Sequence, residues 1–355
     1  MNALMCLLLV AGSELWQTDP ARQDWAILGS QVSLATLKGE GICLLDADNH
    51  RVIVIGRSGE NLVEFGRKGL GPGEFQAPAA IAVHGDRVAV FDSIRGNVAW
   101  FSKAGTYLED QRLPAGTVSV FQPSVFSDGS LLVTSVRLNA QFLQSYALEF
   151  CAPDFSETKT MVERTAPPTD WSRMNDTHVI IEYLVGQFET LAAGIPMGLA
   201  LAQDMVVVSP DHPFGYRIDA NGLETPLKWS CQPRPWSDGD KNEQCRAIAD
   251  RIAANAPFGS LITDLVIQKA IEQSDLPEVR APVDAMVPMD AGFALLVVDQ
   301  QSGVFPDLVF FDVRGNEQSR VDYVGPTTAL AIDGDVVYAA GIDEHDEMIV
   351  SARSR

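Results

Sequence analysis

The sequence predicts an all-β fold, a six-bladed β-propeller with one helical insertion between blades four and five, and the first observation behind this is an internal repeat. The segments GICLLDADNHRVIVIGRSG (41–59) and DRVAVFDSIRGNVAWFSKAG (86–105) share one plan, in which an apolar run ends at Asp, a polar turn follows, and a second apolar run ends near Gly. Asp46 and Asp92 are 46 residues apart, and so are Gly59 and Gly105. That spacing is typical of propeller blades.

The second observation is that weaker copies of this unit continue along the chain. A turn followed by a β-rich run occurs at Asp128-Gly129, Asp204, Asp290 and Asp333-Gly334. With the two clear copies, these make six units, each with strand-like alternation or a continuous apolar run. The segment ELWQT (14–18) precedes the first unit, and the sixth has no room for a fourth strand. We therefore expect this N-terminal segment to complete the last blade and close the ring.

The connector after the first unit is the most specific motif in the chain. It reads GRKGLGPGEFQAP (66–78) and is followed by AAIAV. Its glycines and proline shape a turn, and Phe75 is placed to fill the gap between adjacent blades. The motif resembles the loop of NHL-type repeats, and most of the chain is similar to bacterial six-bladed propellers. The resemblance implies one propeller over residues 13–355, in a family whose members are often exported and have no defined activity.

The N-terminus predicts export. Residues 1–12 contain the apolar run ALMCLLLVA followed by Gly12-Ser13, which has the length of a secretory signal and is too short to span a bilayer. We expect a periplasmic or extracellular protein with no transmembrane helix in the mature chain. A misplaced start codon and a buried strand are the alternatives, because no Lys or Arg precedes the run.

Composition limits the partners. The 355 residues are 46% hydrophobic, enough to bury a full core in one domain. The formal net charge of -21 disfavours nucleic acid and anionic membranes, which would repel such a surface. Solubility alone also accounts for this charge.

Blade order predicts where a partner binds. In a four-stranded blade, the turn between the second and third strands and the connection to the next blade emerge on one face, where pockets of propellers usually lie. The polar residues expected on this face are Asn49, His50, Arg51, Arg67, Glu74, Asp92, Arg95, Asn97, Arg137, Asp211, His212 and Asp299. Solvated loops also contain such residues without any function.

Residues 229–282 interrupt the strand pattern and predict a helical cap on the same face. Ser237 to Asp240 predicts the start of a helix that runs to about Asn255 with Cys245, Ile248 and Ile252 on one stripe. A second helical stretch spans 261–273, with Leu261, Leu265, Ile267 and Ile271 as its apolar stripe. We expect a Cys231–Cys245 disulfide at the base of the cap, with two free thiols as the alternative.

No motif of catalysis, metal binding or cofactor binding is recognisable, so no cofactor and no metal are expected. The leading hypothesis is a non-enzymatic module that binds a peptide, glycan or protein on the turn-and-insert face. One alternative is a calcium-dependent hydrolase, resembling lactonase-type propellers, or a lyase; its ion would be held by Asp92, Asn97, Asp211 and Asp299. The other alternative is a structural spacer.

Overall fold

The computed structural model describes residues 13–138, 144–209, 212–298, 302, 306–323, 328–343, 345 and 347–355. Within them, the chain forms six four-stranded antiparallel sheets. The fold is the predicted six-bladed β-propeller. Strand β1 (Glu14–Gln17) belongs to the last blade, and the other strands follow in chain order.

The strands of the first three blades are as follows. Blade one contains β2 (Val32–Leu37), β3 (Gly41–Asp46), β4 (Arg51–Gly56) and β5 (Asn61–Phe65). Blade two contains β6 (Pro78–His84), β7 (Arg87–Asp92), β8 (Asn97–Ser102) and β9 (Tyr107–Arg112). Blade three contains β10 (Thr117–Val125), β11 (Leu131–Leu138), β12 (Gln144–Cys151) and β13 (Thr158–Thr165).

The remaining blades follow the same plan. Blade four contains β14 (Met197–Leu201), β15 (Asp204–Ser209), β16 (His212–Ile218) and β17 (Glu224–Pro226). Blade five contains β18 (Val283–Met289), β19 (Gly292–Val297), β20 (Asp307–Asp312) and β21 (Glu317–Asp322). Blade six contains β22 (Ala329–Asp333), β23 (Val336–Ile342), β24 (Met348–Ser354) and β1.

The two ends of the chain meet in blade six. Its strand order is β1-β24-β23-β22, and Trp16 of β1 lies opposite Ala352 of β24. The first strands of neighbouring blades contact one another all round the ring, including β22 with β2. The expected completion of the last blade by the N-terminal segment is therefore present, and it closes the ring.

The sequence repeat corresponds to a structural repeat. Asp46 and Asp92 each end the second strand of a blade, opposite Arg51 and Asn97 respectively. Gly59 and Gly105 each lie in the turn between the third and fourth strands, with φ of 85° and 81°. Such positive φ values are easily adopted only by glycine, which explains why this landmark recurs at the same offset.

Apolar contacts between blades form the core. Between blades one and two, Phe75 of the connector is fully buried, and its ring centroid lies 5.7 Å from that of Phe101. Phe65, Val88 and Val90 belong to the same apolar cluster. The connector thus has the packing role that its aromatic residue predicts.

Three α-helices are present among the described residues: α1 (Thr177–Ala192), α2 (Asp238–Asn255) and α3 (Asp264–Gln273). Helix α2 begins as predicted, because Ser237 and Asp240 form a reciprocal capping box. The predicted stripe of α3 is partly wrong. Ile267 is buried, but Leu261 and Leu265 are 42% and 65% exposed, and Val266 and Ala270 face the core instead.

Helix α1 is not predicted, although its sequence carries a helical signal. Asp176 caps it by accepting a hydrogen bond from the backbone of His178, and Ile180, Leu184 and Phe188 recur at four-residue spacing. The run Val179-Ile180-Ile181 reads equally well as a short strand, because β-branched residues favour strands. Tertiary packing against the other two helices decides in favour of the helix.

The three helices form one unit, which we call the cap. It lies in the connections after blades three and four, and in antiparallel blades these emerge on the face that also carries the turns between second and third strands. We call this the insert face. Phe188, Cys245 and Ile267 share one buried cluster inside the cap. The predicted disulfide is absent: Cys245 is a free thiol in that cluster, whereas Cys231 packs against a separate cluster between blades four and five.

Candidate functional site

A cavity of about 1090 Å³ follows the central channel. The first strands of all six blades line it, and so do side chains of α1 and α2. The lining residues from the cap are Tyr183, Gln187, Leu191, Ile248, Arg251 and Ile252. The cap therefore covers the mouth of the channel on the insert face, which is the position expected for the helical insertion.

The wall of the cavity is mainly aliphatic. Many lining positions on the innermost strands carry alanine, including Ala35, Ala79, Ala285 and Ala329. These small side chains leave open space along the axis, where larger residues would fill the channel. A large, mostly apolar cavity with a few polar groups has the usual character of a small-molecule site.

One polar group at the capped end is the carboxylate of Asp284, near the start of β18. Arg280 donates hydrogen bonds to both of its oxygens, each at 2.9 Å. The Asp284 side chain retains 34% of its exposure, and it lines the channel cavity. Burial raises the pKa of Asp284, and the charge and hydrogen bond of Arg280 counteract this only in part.

A second polar group at this end is a short chain of hydrogen bonds between blade three and the cap. The amide of Gln144 donates to the Tyr146 hydroxyl at 2.9 Å, and that hydroxyl donates to Oε1 of Gln187 at 3.4 Å. Burial raises the pKa of Tyr146 to about 12, while the Arg251 guanidinium has a smaller opposite effect. All four of these residues line the cavity.

The opposite end of the cavity is bordered by the turns between first and second strands. There, Nζ of Lys38 in blade one lies 2.9 Å from a carboxylate oxygen of Asp290 in blade five. Blade six lies between them, so this ion pair spans part of the rim. Asp333 of blade six is buried beside it and accepts hydrogen bonds from Gly39 N and from Arg57.

The residues that the sequence places on the insert face in blade one hold their own loop together. Asn49 Nδ2 donates to Asp46 at 2.8 Å, and Arg51 Nε donates to the same carboxylate at 3.0 Å. Arg51 also donates to the carbonyl of Ile27. The ring nitrogens of His50 contact the carbonyls of Asp48 and Gln76.

The predicted insert-face residues of the connector and of blade two also form contacts within their own loops. The backbone N–H of Gly71 and, to a smaller degree, Arg67, which donates to Glu74 at 2.7 Å, lower the pKa of Glu74. Asp92 is 1% exposed and accepts from the backbone of the connector and of Arg95. Arg95 also donates to Asp110. Asn97 is buried opposite Asp92.

Two more predicted residues lie in later blades. Arg137 donates to Glu149 at 2.9 Å, and the ring of His212 packs against Tyr216. Asp211 and Asp299 lie outside the described residues. None of the ten described binding-face candidates lines the channel cavity, and the structure spreads them around the insert face. Their part in binding a partner stays a prediction.

Sequence reasoning missed the polar residues of the capped end. Asp284 carried a usable signal, because it is an acidic residue within the apolar strand VDAMVPM. Tyr183 and Gln187 lie on the helix that was not predicted, and Tyr146 lies in a segment where the repeat signal is weak. Their meeting depends on the approach of α1 to blade three, which no local pattern encodes.

Within the described part of the chain, no group of three or more His, Cys, Asp or Glu side chains is placed to share a metal ion. No helix there is both long and apolar enough to cross a membrane. The buried carboxylates of Asp46 and Asp92 are occupied by hydrogen-bond donors of the protein.

No protein-family model matches the sequence, and no curated protein is similar to it. Solved structures match in fold. A Bacteroides fragilis protein named for its expected export is 14% identical, with 98% of this chain and 95% of that chain covered and a TM-score of 0.53. A gluconolactonase from Xanthomonas campestris is 12% identical over 93% of this chain and 88% of its own, with a TM-score of 0.48. At these identities, the likeness concerns the propeller fold alone.

Proposed function

We propose that this chain is a non-enzymatic binding protein whose channel holds a small, mainly apolar organic ligand. The observation behind this is the cavity itself, which lies on the axis, has an aliphatic wall, and carries polar groups at its capped end. Its volume is slightly above the usual range of small-molecule sites, about 300–1,000 Å³. It is therefore large enough to enclose a whole ligand.

The aliphatic wall would supply the affinity. Removing about 300 Å² of apolar ligand surface from water contributes about 7 kcal/mol, before the cost of immobilising the ligand. Polar groups then fix its orientation. The ligand would thus lie in the channel beneath the cap and not on the loop tips of the insert face.

We also propose that the protein is exported. The apolar N-terminal run supports this, and so does the fold likeness to the Bacteroides fragilis protein. The enzymatic alternative depends on Asp92, Asn97, Asp211 and Asp299. The side chain of Asp92 is already engaged, and two of the others lie outside the described residues. Binding is therefore the function that we favour.

The test uses N-phenyl-1-naphthylamine, a neutral dye whose emission rises in apolar cavities. The variant Ser33→Phe would fill the channel, because Ser33 lines it and makes no side-chain hydrogen bond to the described residues. Ser319→Phe is the matched control, since Ser319 is exposed on the outermost strand of blade five. We expect saturable binding to the wild type and the control, and at least tenfold weaker binding to Ser33→Phe. Equal binding by all three proteins would place the dye outside the channel and contradict the proposal.

A further inference from the structure

The capped end of the channel offers hydrogen-bond donors to the cavity. Gln187 is 4% exposed, lines the cavity, and accepts from Tyr146 through its Oε1. Its amide NH₂ makes no hydrogen bond to the described residues. Because this NH₂ borders the cavity and has no partner among the described side chains, an acceptor group of a ligand in the cavity can bind to it.

Tyr183 provides a second donor one helical turn earlier on α1. It lines the cavity, and its ring packs against Trp171 and Phe258 at centroid distances of 5.5 and 5.8 Å. Those contacts fix the ring, while the hydroxyl makes no hydrogen bond to the described residues. Residues four apart lie on the same face of a helix, so the side chains of Tyr183 and Gln187 face the same part of the cavity.

Charge at this end argues against a cationic ligand group. The carboxylate of Asp284 accepts from Arg280 through both oxygens, so an incoming cation would have to compete with an ion pair that is already formed. The guanidinium of Arg251, which also lines the cavity, would repel a cation at close range. Oxygen acceptors, in contrast, match the Gln187 and Tyr183 donors.

We infer that the ligand is an amphipathic molecule with a carbonyl-type oxygen, in a ketone, ester, amide or carboxylate, that accepts hydrogen bonds from Gln187 and Tyr183 while its apolar body lies along the channel. This inference rests on the proposed function. It deepens that function by assigning a ligand class and an orientation.

The experiment measures displacement of N-phenyl-1-naphthylamine by four probes with the same chain: decane, 2-decanone, decanoate and decyltrimethylammonium. We expect both oxygen-bearing probes to bind at least tenfold more tightly than the hydrocarbon and the cation. 2-Decanone and decanoate separate neutral from charged acceptors. Equal affinities for these two probes would identify the acceptor oxygen as the recognised feature. If one of them binds more tightly than the other, and both bind more tightly than decane, the ligand belongs to the class of the tighter-binding probe.

The variant Gln187→Leu removes the donor but keeps the size of the side chain. We expect it to bind decane as the wild type does and to lose most of the advantage of 2-decanone. Gln122→Leu is the control, because Gln122 lines the same cavity on β10 rather than at the cap. Equal affinity for all four probes, or an unchanged preference in Gln187→Leu, would overturn the inference while leaving the proposed function intact. If neither the dye nor any probe binds, the proposed function itself fails.

Discussion

Thr18 and Val350 are joined by two reciprocal hydrogen bonds. The backbone N–H of Thr18 donates to the carbonyl of Val350 at 2.9 Å, and the N–H of Val350 donates to the Thr18 hydroxyl at 2.9 Å. Both residues are buried, and 332 positions separate them in the sequence. The pair extends the pairing of β1 with β24 and holds the ring closed.

We expect Thr18→Val to lower stability. The substitution keeps the shape of the side chain but leaves the N–H of Val350 buried without its acceptor, which costs about 1–3 kcal/mol. Chemical denaturation measures the change. Thr160→Val is the control, because Thr160 is exposed on the outermost strand of blade three. A change no larger than that of the control would show that this closure contact adds little.

The cap should behave as one cooperative unit, although two separate insertions build it. Phe188 of α1 is fully buried against side chains of α2 and α3. We expect Phe188→Ala, a change that typically costs about 3–5 kcal/mol, to increase hydrogen exchange throughout 238–273 as well as in α1. Faster exchange in α1 alone would mean that the helices do not depend on one another.

Asp284 predicts a pH dependence of stability. Burial raises its pKa in the folded protein, so the folded state retains this proton at pH values where the unfolded chain, with a pKa of about 3.9, has lost it. The stabilisation is present at acid pH and is lost as pH rises through the folded pKa. Relative to the wild type, Asp284→Asn should therefore gain melting temperature as pH increases from about 4 to 7.

Asp154 is the control for this measurement, because its pKa is shifted in the opposite direction. Hydrogen bonds from Ser156 lower the pKa of Asp154, so that group stabilises the fold at neutral pH and loses this effect as pH falls. Asp154→Asn should lose melting temperature relative to the wild type as pH rises towards about 4, the ordinary pKa of Asp, and should stay nearly level from pH 4 to 7. Parallel slopes for the two variants would contradict the assignment of a raised pKa to Asp284.

The Lys38–Asp290 ion pair should affect access to the channel more than stability. Both side chains are largely exposed, and such pairs contribute about 1 kcal/mol or less. Because the cap covers the other mouth, we expect Lys38→Gln to raise the association and dissociation rates of N-phenyl-1-naphthylamine several-fold and to leave Kd nearly unchanged. Stopped-flow fluorescence measures both rates.

Lys103→Gln is the matched control for the rim. Lys103 pairs with Glu40 and Asp86 on the same face of the propeller, but it does not line the cavity. Its substitution should leave both rates as in the wild type. If both lysine variants accelerate exchange equally, general surface charge rather than the rim pair controls access.

Removal of divalent metal should leave the protein unchanged. Since neither the sequence motifs nor the described residues assemble a set of metal ligands, we expect dialysis against EDTA to keep the melting temperature constant. Metal analysis before dialysis completes the measurement. A bound calcium ion together with EDTA-sensitive hydrolysis of lactones or esters would favour the enzymatic alternative.

The sequence was sufficient for the fold because the fold repeats. Asp46 and Asp92, with Gly59 and Gly105, occupy equivalent turns whose local chemistry recurs, so their spacing reveals the blade. Helix α2 was also predictable, since Ser237 and Asp240 cap it through local contacts. These features depend on neighbours in sequence.

The site was not predictable in the same way. Gln187 lies on a connection, and Tyr146 and Asp284 lie in different blades. All three line the cavity, and Gln187 contacts Tyr146 only because α1 lies across the channel. The polar loop residues that the sequence pattern assigns to binding instead stabilise their own turns, as the contact of Arg51 with Asp46 shows. A polar residue in a loop has the same local signature whether it binds a ligand or a backbone.

The pairing of β1 with β24 also sets the order of events during synthesis. Thr18 leaves the ribosome 332 residues before its partner Val350, which at 5–20 residues per second is an interval of roughly 15–65 s. Until blade six is made, blade one and the most recently completed blade each have one flank without a neighbour. A nascent propeller of this design remains an open arc whose end blades expose apolar surface. It becomes a ring only after nearly the whole chain has been made.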